Sequence, residues 1–381
     1  MVLEKHFEVY FGLVDDSRHK SYITYKMGEI LLIMFCAQVC GLRHEEDIAD
    51  LAEMRWEYFK KYIKNDRPPC KSTISNMLKI IDPKRLELCF QGVTQSVFGL
   101  NLKEETEEKE QVSIDGKTVR GENSVHIVTA LQNDGLFSLG TIEVDEKTNE
   151  IPAVQELLDI ISIEGKVITL DSMHCQKETM AKIIEKKGDY VVQVKRNQPS
   201  LYDDIEGIFK AGEIAETRQE SEKGHGRFTT WICDVLPDEY VDQSYFVEWV
   251  GIKKIFRIIR KTEEKERKSE ETSYYITSLD EPAEKLMKYV RNHWQIESFH
   301  WILDVVCGED KSYIQDENAK LCMNILKKYA IAFIAQYIKQ TNPKKKSISG
   351  NMRKALISTD FMHSLLSPFL HKLLLQFCYF Y

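Results

Sequence analysis

The run KVITLDSMHCQKETMAKIIEKKGDYVVQVKRNQ, Lys166 to Gln198, decides the fold. Val167-Ile168-Thr169-Leu170 is β-rich with no polar alternation, the pattern of a short strand buried on both faces. Gln176 to Lys187 has helical composition, with Met180, Ala181, Ile183 and Ile184 spaced for one apolar face. Gly188 is placed to cap that helix. Tyr190 to Val194 returns as a second strand and runs into Lys195-Arg196-Asn197-Gln198. In open α/β sheets, sites form outside the carboxyl ends of strands. Asp171 and the Lys-Arg-Asn-Gln group stand at two such ends. Taken alone, Asp171 reads as a helix N-cap. An acid beside a basic, amide-rich loop also suits metal and phosphate chemistry.

Upstream, the α/β pattern opens at Gln111. Val112-Ser113-Ile114 is a short strand ending in Asp115-Gly116-Lys117. Val125 to Leu131 and Leu136 to Val144 are two more strands, joined by Asn133-Asp134-Gly135, a strong hairpin signal. Asn149 to Ile161 is a helix with Asn149 as N-cap and Pro152 in its first turn. Three strands, helix, strand, helix, strand is the order of a ribonuclease-H-like mixed sheet. Downstream, Pro199 to Gly212 is another helix. Phe228 to Val235, Phe246 to Gly251, Lys254 to Arg260 and Ser273 to Thr277 predict an antiparallel, β-rich insertion over 213–284. Lys261 to Glu271 is its charged hairpin tip or a flexible loop.

Residues 1–102 read as an all-helical N-terminal domain, with helices over Ile30 to Leu42, Glu45 to Tyr62 and Ser72 to Ile81. The segment KEETEEKE, Lys103 to Glu110, holds no apolar residue and reads as a solvated linker. The sheet domain then covers 111–212 and 285–340, and 341–381 is a basic helical tail.

The composition is that of an ordinary soluble protein of 381 residues, 43% hydrophobic and 29% charged. Its nine cysteines are scattered with no CxxC pair, which excludes a zinc ribbon and points to reduced thiols in a cytoplasmic setting. Met1 to Tyr10 lacks the pattern of a secretory signal. The apolar run Ile30 to Leu42 is too short to span a bilayer. The net charge of −8 weighs against a nucleic-acid partner, yet Ala319 to Tyr381 carries ten Lys or Arg against the single acid Asp360. That segment is either an electrostatic footprint for phosphates or a solvated helix face.

Tyr289 to Asp304, YVRNHWQIESFHWILD, predicts a helix with His293, Glu297, His300 and Asp304 on one stripe, flanked by Trp294 and Trp301. Strands one and four neighbour each other in a sheet of this order, so Asp115 and Asp171 converge. Paired carboxylates repel and call for a cation, and few carboxylates with open positions is how Mg²⁺ is held. Two such ions clamp the attacking and leaving oxygens of a phosphoryl transfer. Glu297 is the third carboxylate available. A zinc site on the histidine stripe is the weaker alternative, because the HExxH spacing is missing.

SIDGKTVRG (Ser113 to Gly121), NEIPA (Asn149 to Ala153), TLDSMHCQ (Thr169 to Gln176), GDYVVQVKRNQ (Gly188 to Gln198), GHGR (Gly224 to Arg227) and HWQIESFHWILDVVCGED (His293 to Asp310) appear in this order. Together they resemble the DDE transposases of bacterial insertion sequences, in the H-repeat-associated branch with an extra N-terminal helical domain. The resemblance spans nearly the whole chain. It implies that Asp115, Asp171 and Glu297 form a catalytic, metal-binding triad holding Mg²⁺ or Mn²⁺, as two ions. Many relatives carry Tyr-x2-Arg-x3-Glu-x6-Lys around the Glu. Here Val290, His293 and Asp304 stand in those places, a departure read as a feature of the branch.

The resemblance also implies double-stranded DNA, as element ends and target, for partner, and a homodimer on that DNA near the nucleoid. Candidate DNA contacts are Lys117, Lys195, Asn197, Gln198, His225, Arg227, His293, Trp294 and His300. For Asn197 and Gln198 a structural loop role is the alternative; for His225 and Arg227, an exposed turn. The expected reaction is metal-dependent cleavage at the element's end, then attack of the freed 3′-hydroxyl on a target phosphodiester. The rivals are a nuclease of the same fold that only hydrolyses, and a decayed or domesticated DNA-binding relative.

Overall fold

The computed structural model describes residues 14, 16, 18–19, 23–98, 109–120, 124–144, 149–224, 226–241, 246–264, 267–344 and 346–375, with the side chains of 95–98 and 368–375 excepted. Nine strands of these residues form one sheet. They are β1 (Gln111–Val119), β2 (Val125–Gln132), β3 (Phe137–Glu143), β4 (Val167–Leu170), β5 (Asp189–Val194), β6 (Glu216–Gly224), β7 (Arg227–Val235), β8 (Lys254–Glu264) and β9 (Arg267–Thr277). Their order is β3-β2-β1-β4-β5-β9-β8-β7-β6. β1 pairs antiparallel with β2 and parallel with β4, and β4 pairs parallel with β5. This is the ribonuclease-H-like mixed sheet that the element order predicts. The hairpins β6–β7 and β8–β9 do not stand apart from it. β9 pairs with β5, so the insertion prolongs the same sheet.

The helices are α1 (Met27–Val39), α2 (Glu45–Met54), α3 (Trp56–Phe59), α4 (Lys71–Ile80), α5 (Pro83–Phe98), α6 (Glu150–Ile160), α7 (Lys177–Glu185), α8 (Pro199–Ala211), α9 (Ala283–His293), α10 (Gln295–Trp301), α11 (Glu317–Thr341), α12 (Ile348–Ile357) and α13 (Thr359–Leu375). All four residues of β4 are buried, and alternate ones serve different layers. Ile168 and Leu170 pack with α6, α7 and α8, whereas Val167 packs with α9. That explains a strand with no polar alternation. The N-terminal helices share their core with α11 and the helices after it: Phe35 meets Phe333 edge-on at 5.2 Å, and Phe90 stacks on Tyr329 at 4.9 Å. Among the described residues no helix is long and apolar enough to cross a membrane.

Local details depart from the sequence reading in four places. The helix expected over Glu45 to Tyr62 breaks at Arg55, whose guanidinium donates to the Ala355 and Leu356 carbonyls ending α12. Gly188 is not the left-handed cap of α7; Lys187 takes that conformation (φ 59°), and the Gly188 amide closes the motif on the Ile183 carbonyl. Phe246 to Gly251 is a chain of turns, its Phe246 and Trp249 buried for packing rather than for pairing. β6 is a strand with no apolar side chain at all. It is a solvated sheet edge, and its charged side chains guard against further pairing. The linker segment 103–108 and the chain beyond 375 lie outside the described residues.

One buried polar knot ties α5, β3 and α11 together. Glu87 accepts from Ser138 Oγ (3.1 Å), Thr141 N (3.0 Å) and Thr141 Oγ1 (2.9 Å). Lys328, 1% exposed, donates to Thr129 Oγ1 and Thr141 Oγ1, each at 2.9 Å. Burial pushes the Lys328 ammonium down to about 8 and raises the Glu87 carboxyl. Lys320 and Lys327 are buried too, so three of the ten basic residues counted from 319 onward face inward rather than toward phosphates. Removing one charge of such a pair strands the other. Glu87→Ala should therefore lose about 3–5 kcal/mol in urea unfolding; a loss under about 1 kcal/mol would show the knot to be dispensable.

Candidate active site

Parallel pairing sets the two acids side by side. Ile114 is opposite Leu170 in the β1–β4 register, and the next residues are Asp115 and Asp171. β1 does not stop at Asp115, as expected from sequence. It continues to Val119 against β2 alone, with Asp115 opposite Thr129. Asp171 also acts as a cap: its Oδ1 accepts from Met173 N at 3.1 Å, closing the short turn Ser172–His174. The Asp115 carboxyl is pushed up to about 7, first by burial, then by the Asp171 charge, with Glu150 adding to it.

Glu150 reaches the pair from α6, on the other face of β1. Its carboxylate lies against Gly116, where any Cβ would overlap it. Glu150 Oε1 is 2.7 Å from His126 Nε2, and Oε2 is 3.2 Å from His174 Nε2. The two imidazoles, His174 first, hold this carboxyl below its usual range. His174 Nε2 also stands 3.8 Å from Asp171 Oδ1. His174 is 1% exposed, and neither ring nitrogen has a well-aligned hydrogen-bond partner among the described residues. Sequence reasoning quoted NEIPA and TLDSMHCQ but gave Glu150, His174 and His126 no role. The available signal was the glycine after Asp115, whose missing Cβ leaves room for a carboxylate there.

The expected single helix from Tyr289 to Asp304 is three pieces. α9 ends at His293, α10 follows, and Ile302–Val306 is a π-helix. Side chains compete for the backbone at the first break: Gln111 Nε2 donates to the Tyr289 carbonyl (2.9 Å), and Asn133 Nδ2 to that of Asn292 (2.7 Å). His293 Nδ1 bonds Thr169 Oγ1 at 2.9 Å, and burial drives the imidazole down to about 4. His300 Nδ1 lies 3.6 Å from Asp115 Oδ2; burial, then Lys328 and Lys117, drives it down to about 3. Both rings are neutral at pH 7. Asp304 meets Lys117 at 2.5 Å, and Lys117 also meets the buried Glu309 at 2.6 Å.

Glu297 lies exposed on α10 with no hydrogen bond or ion pair among the described residues. The structure thus joins Asp115 and Asp171 to Glu150 and the histidines, and Glu297 stands one turn before His300 on α10, whose ring reaches Asp115. No group of three His, Cys, Asp or Glu placed to hold a metal occurs among the described residues.

The other candidates are spread more widely. Lys117 is 6% exposed, enclosed by its two acids. Lys195 is exposed just past β5. Asn197 donates to the Ser172 carbonyl (2.7 Å) and Gln198 to that of Cys175 (2.9 Å), bracing the turn after Asp171. Arg227 pairs with Glu264 at a hairpin end (2.8 Å), and His225 lies outside the described residues. Trp294 is half-exposed, edge-on to Trp231 at 5.8 Å and under the Arg260 guanidinium at 4.8 Å.

Two family models match the chain: the transposase DDE domain over residues 77–333, and the DDE_Tnp_1-associated region over residues 9–93. The chain belongs to the DDE transposase family. It is similar to "H repeat-associated putative transposase YhhI" of Escherichia coli (strain K12), 33% identical over 96% of this chain and 99% of the relative. "Putative transposase YncI" of Escherichia coli O157:H7 is 31% identical over 94% of this chain and 93% of its own length.

A carboxyl raised above its unfolded value stabilises the fold at low pH, and that contribution is lost as pH rises through the folded value. For Asp115 the window runs from about 4 to about 7. Asp115→Asn should accordingly raise the melting temperature in chelator at pH 8, by on the order of 1 kcal/mol of stability or more. The gap should narrow toward pH 5. A gap independent of pH would contradict this.

Proposed function

We propose that this chain is a transposase that cuts DNA at the ends of an insertion sequence and joins the freed end to a target duplex. What carries the reading is the pair Asp115 and Asp171, placed at matched positions of two parallel strands, with one carboxyl raised by the charge of the other. A raised carboxyl beside a second acid is an arrangement that a cation relieves. The donors fit a hard divalent ion, Mg²⁺ or Mn²⁺: two carboxylates, with His174 Nε2 3.8 Å from Asp171 and His300 Nδ1 3.6 Å from Asp115. When bound, such ions neutralise the paired charge and polarise phosphate oxygens.

The chain's own groups position the DNA. Asp115 and Asp171 fix where the scissile phosphate sits, at the carboxyl end of β4. Lys195, exposed beside them on β5, meets the backbone phosphates. His293 and His300, neutral and half-buried, keep unwanted positive charge away from the acids. Glu297 completes the triad when DNA draws α10 inward; the break at Trp294 and the π-helix after Trp301 leave α10 joined at both ends by irregular turns. Two copies act together on two element ends, at the nucleoid.

The test is cleavage and strand transfer on duplexes carrying the element's ends, both intact and pre-cut. Asp115→Asn and Asp171→Asn should each lower both activities at least about 100-fold, with binding to the duplex retained. Cleavage without joining of a pre-cut end would make the chain a nuclease. Binding with no reaction by the parent protein would make it a DNA-binding relative.

A further inference from the structure

We infer that Glu150 and His174 are positioning residues for the two acids, forming a supporting shell that fixes the Asp115–Asp171 spacing for a divalent cation. The inference rests on the two-acid reading above and adds residues to it. Three observations carry it. Glu150 leaves the first turn of α6, crosses the face of β1 opposite to Asp115, and seats its carboxylate on Gly116. A side chain at 116 would push the carboxylate out of this seat, so the glycine after Asp115 and the acid of NEIPA form one fitting. His126 fastens one Glu150 oxygen from β2, where its Nδ1 is itself fixed 2.9 Å from Thr118 Oγ1. The second oxygen faces His174, a ring 1% exposed whose Nε2 lies between the carboxylates of Glu150 and Asp171, at 3.2 and 3.8 Å.

His174 is the part that points to a ligand. A buried imidazole whose Nδ1 meets no partner among the described residues, and whose Nε2 sits between two carboxylates without a well-aligned hydrogen bond, is costly unless another state of the site uses it. Carboxylates that hold a cation need outer partners to fix their direction, and an imidazole braced by a second carboxylate is a suitable partner. Asp171 cannot turn away without breaking its cap on Met173. A shift of Asp171 toward the cation therefore draws His174 along and aligns it on Glu150.

The test uses Mn²⁺ itself, titrated into the full chain without DNA and read by the loss of the free-ion EPR spectrum. Glu150→Gln should weaken Mn²⁺ binding about 10- to 100-fold at a temperature where the variant is still fully folded in chelator. His174→Gln should do the same, and serves if Glu150→Gln does not fold. Asp115→Asn should abolish binding. Should both supporting variants bind Mn²⁺ as the parent does while Asp115→Asn does not, the shell is overturned and the two-acid reading stands. Should the parent take up no Mn²⁺, with or without duplex DNA, the two-acid reading is overturned and the shell falls with it.

Discussion

Like charges held close together in a partly buried place oppose folding, and the register of β1 against β4 imposes that arrangement here. With Ile114 opposite Leu170, the chain has no freedom to separate the acids that follow. The surroundings answer the repulsion in two ways. Asp171 spends one oxygen on the amide of Met173, and the Asp115 carboxyl takes up the strain by rising toward its protonated form, with the neutral His300 ring 3.6 Å away. Among the described residues no lysine or arginine pairs with either acid. The nearest candidate, Lys117, is taken up by Asp304 and Glu309 two residues further along β1. The pair is thus left in want of a cation from outside, which is what the proposed chemistry requires.

How far the sequence alone reached follows from the physics of each element. β4, β5, α7 and α8 were legible within a residue or two, because short apolar strands and capped amphipathic helices leave local patterns. β6 left none: eight polar residues and a glycine become a strand only because β7 offers them partners. Phe246 to Gly251 gave the reverse error, since large buried side chains look alike whether their backbone is paired or turned. The continuity of the insertion with the main sheet is a long-range pairing of β9 with β5, invisible to any local pattern.

The site was legible in part for the same reason. Asp115 and Asp171 could be matched from strand order. The breaks around α10 could not, because they depend on Gln111 and Asn133 reaching across from the sheet. A stripe drawn on an ideal helix put His293, Glu297, His300 and Asp304 on one face. The real segments send them to Thr169, to the surface, to Asp115 and to Lys117. For Asn197 and Gln198 the sequence left DNA contact and a structural loop role both open; their amides brace the turn after Asp171, a direction that composition does not carry.

The unbroken sheet has a mechanical consequence. β8 is eleven residues long, roughly 36 Å at about 3.3 Å per residue, and it runs from the edge of the core to an outer hairpin. Backbone hydrogen bonds link it through β9 to β5, the strand that leads into Lys195. An appendage on a loose tether would sweep a volume. One woven into the sheet keeps a fixed reach instead. Anything that touches the outer hairpin is held at a set distance from the two acids, as by the jaw of a caliper.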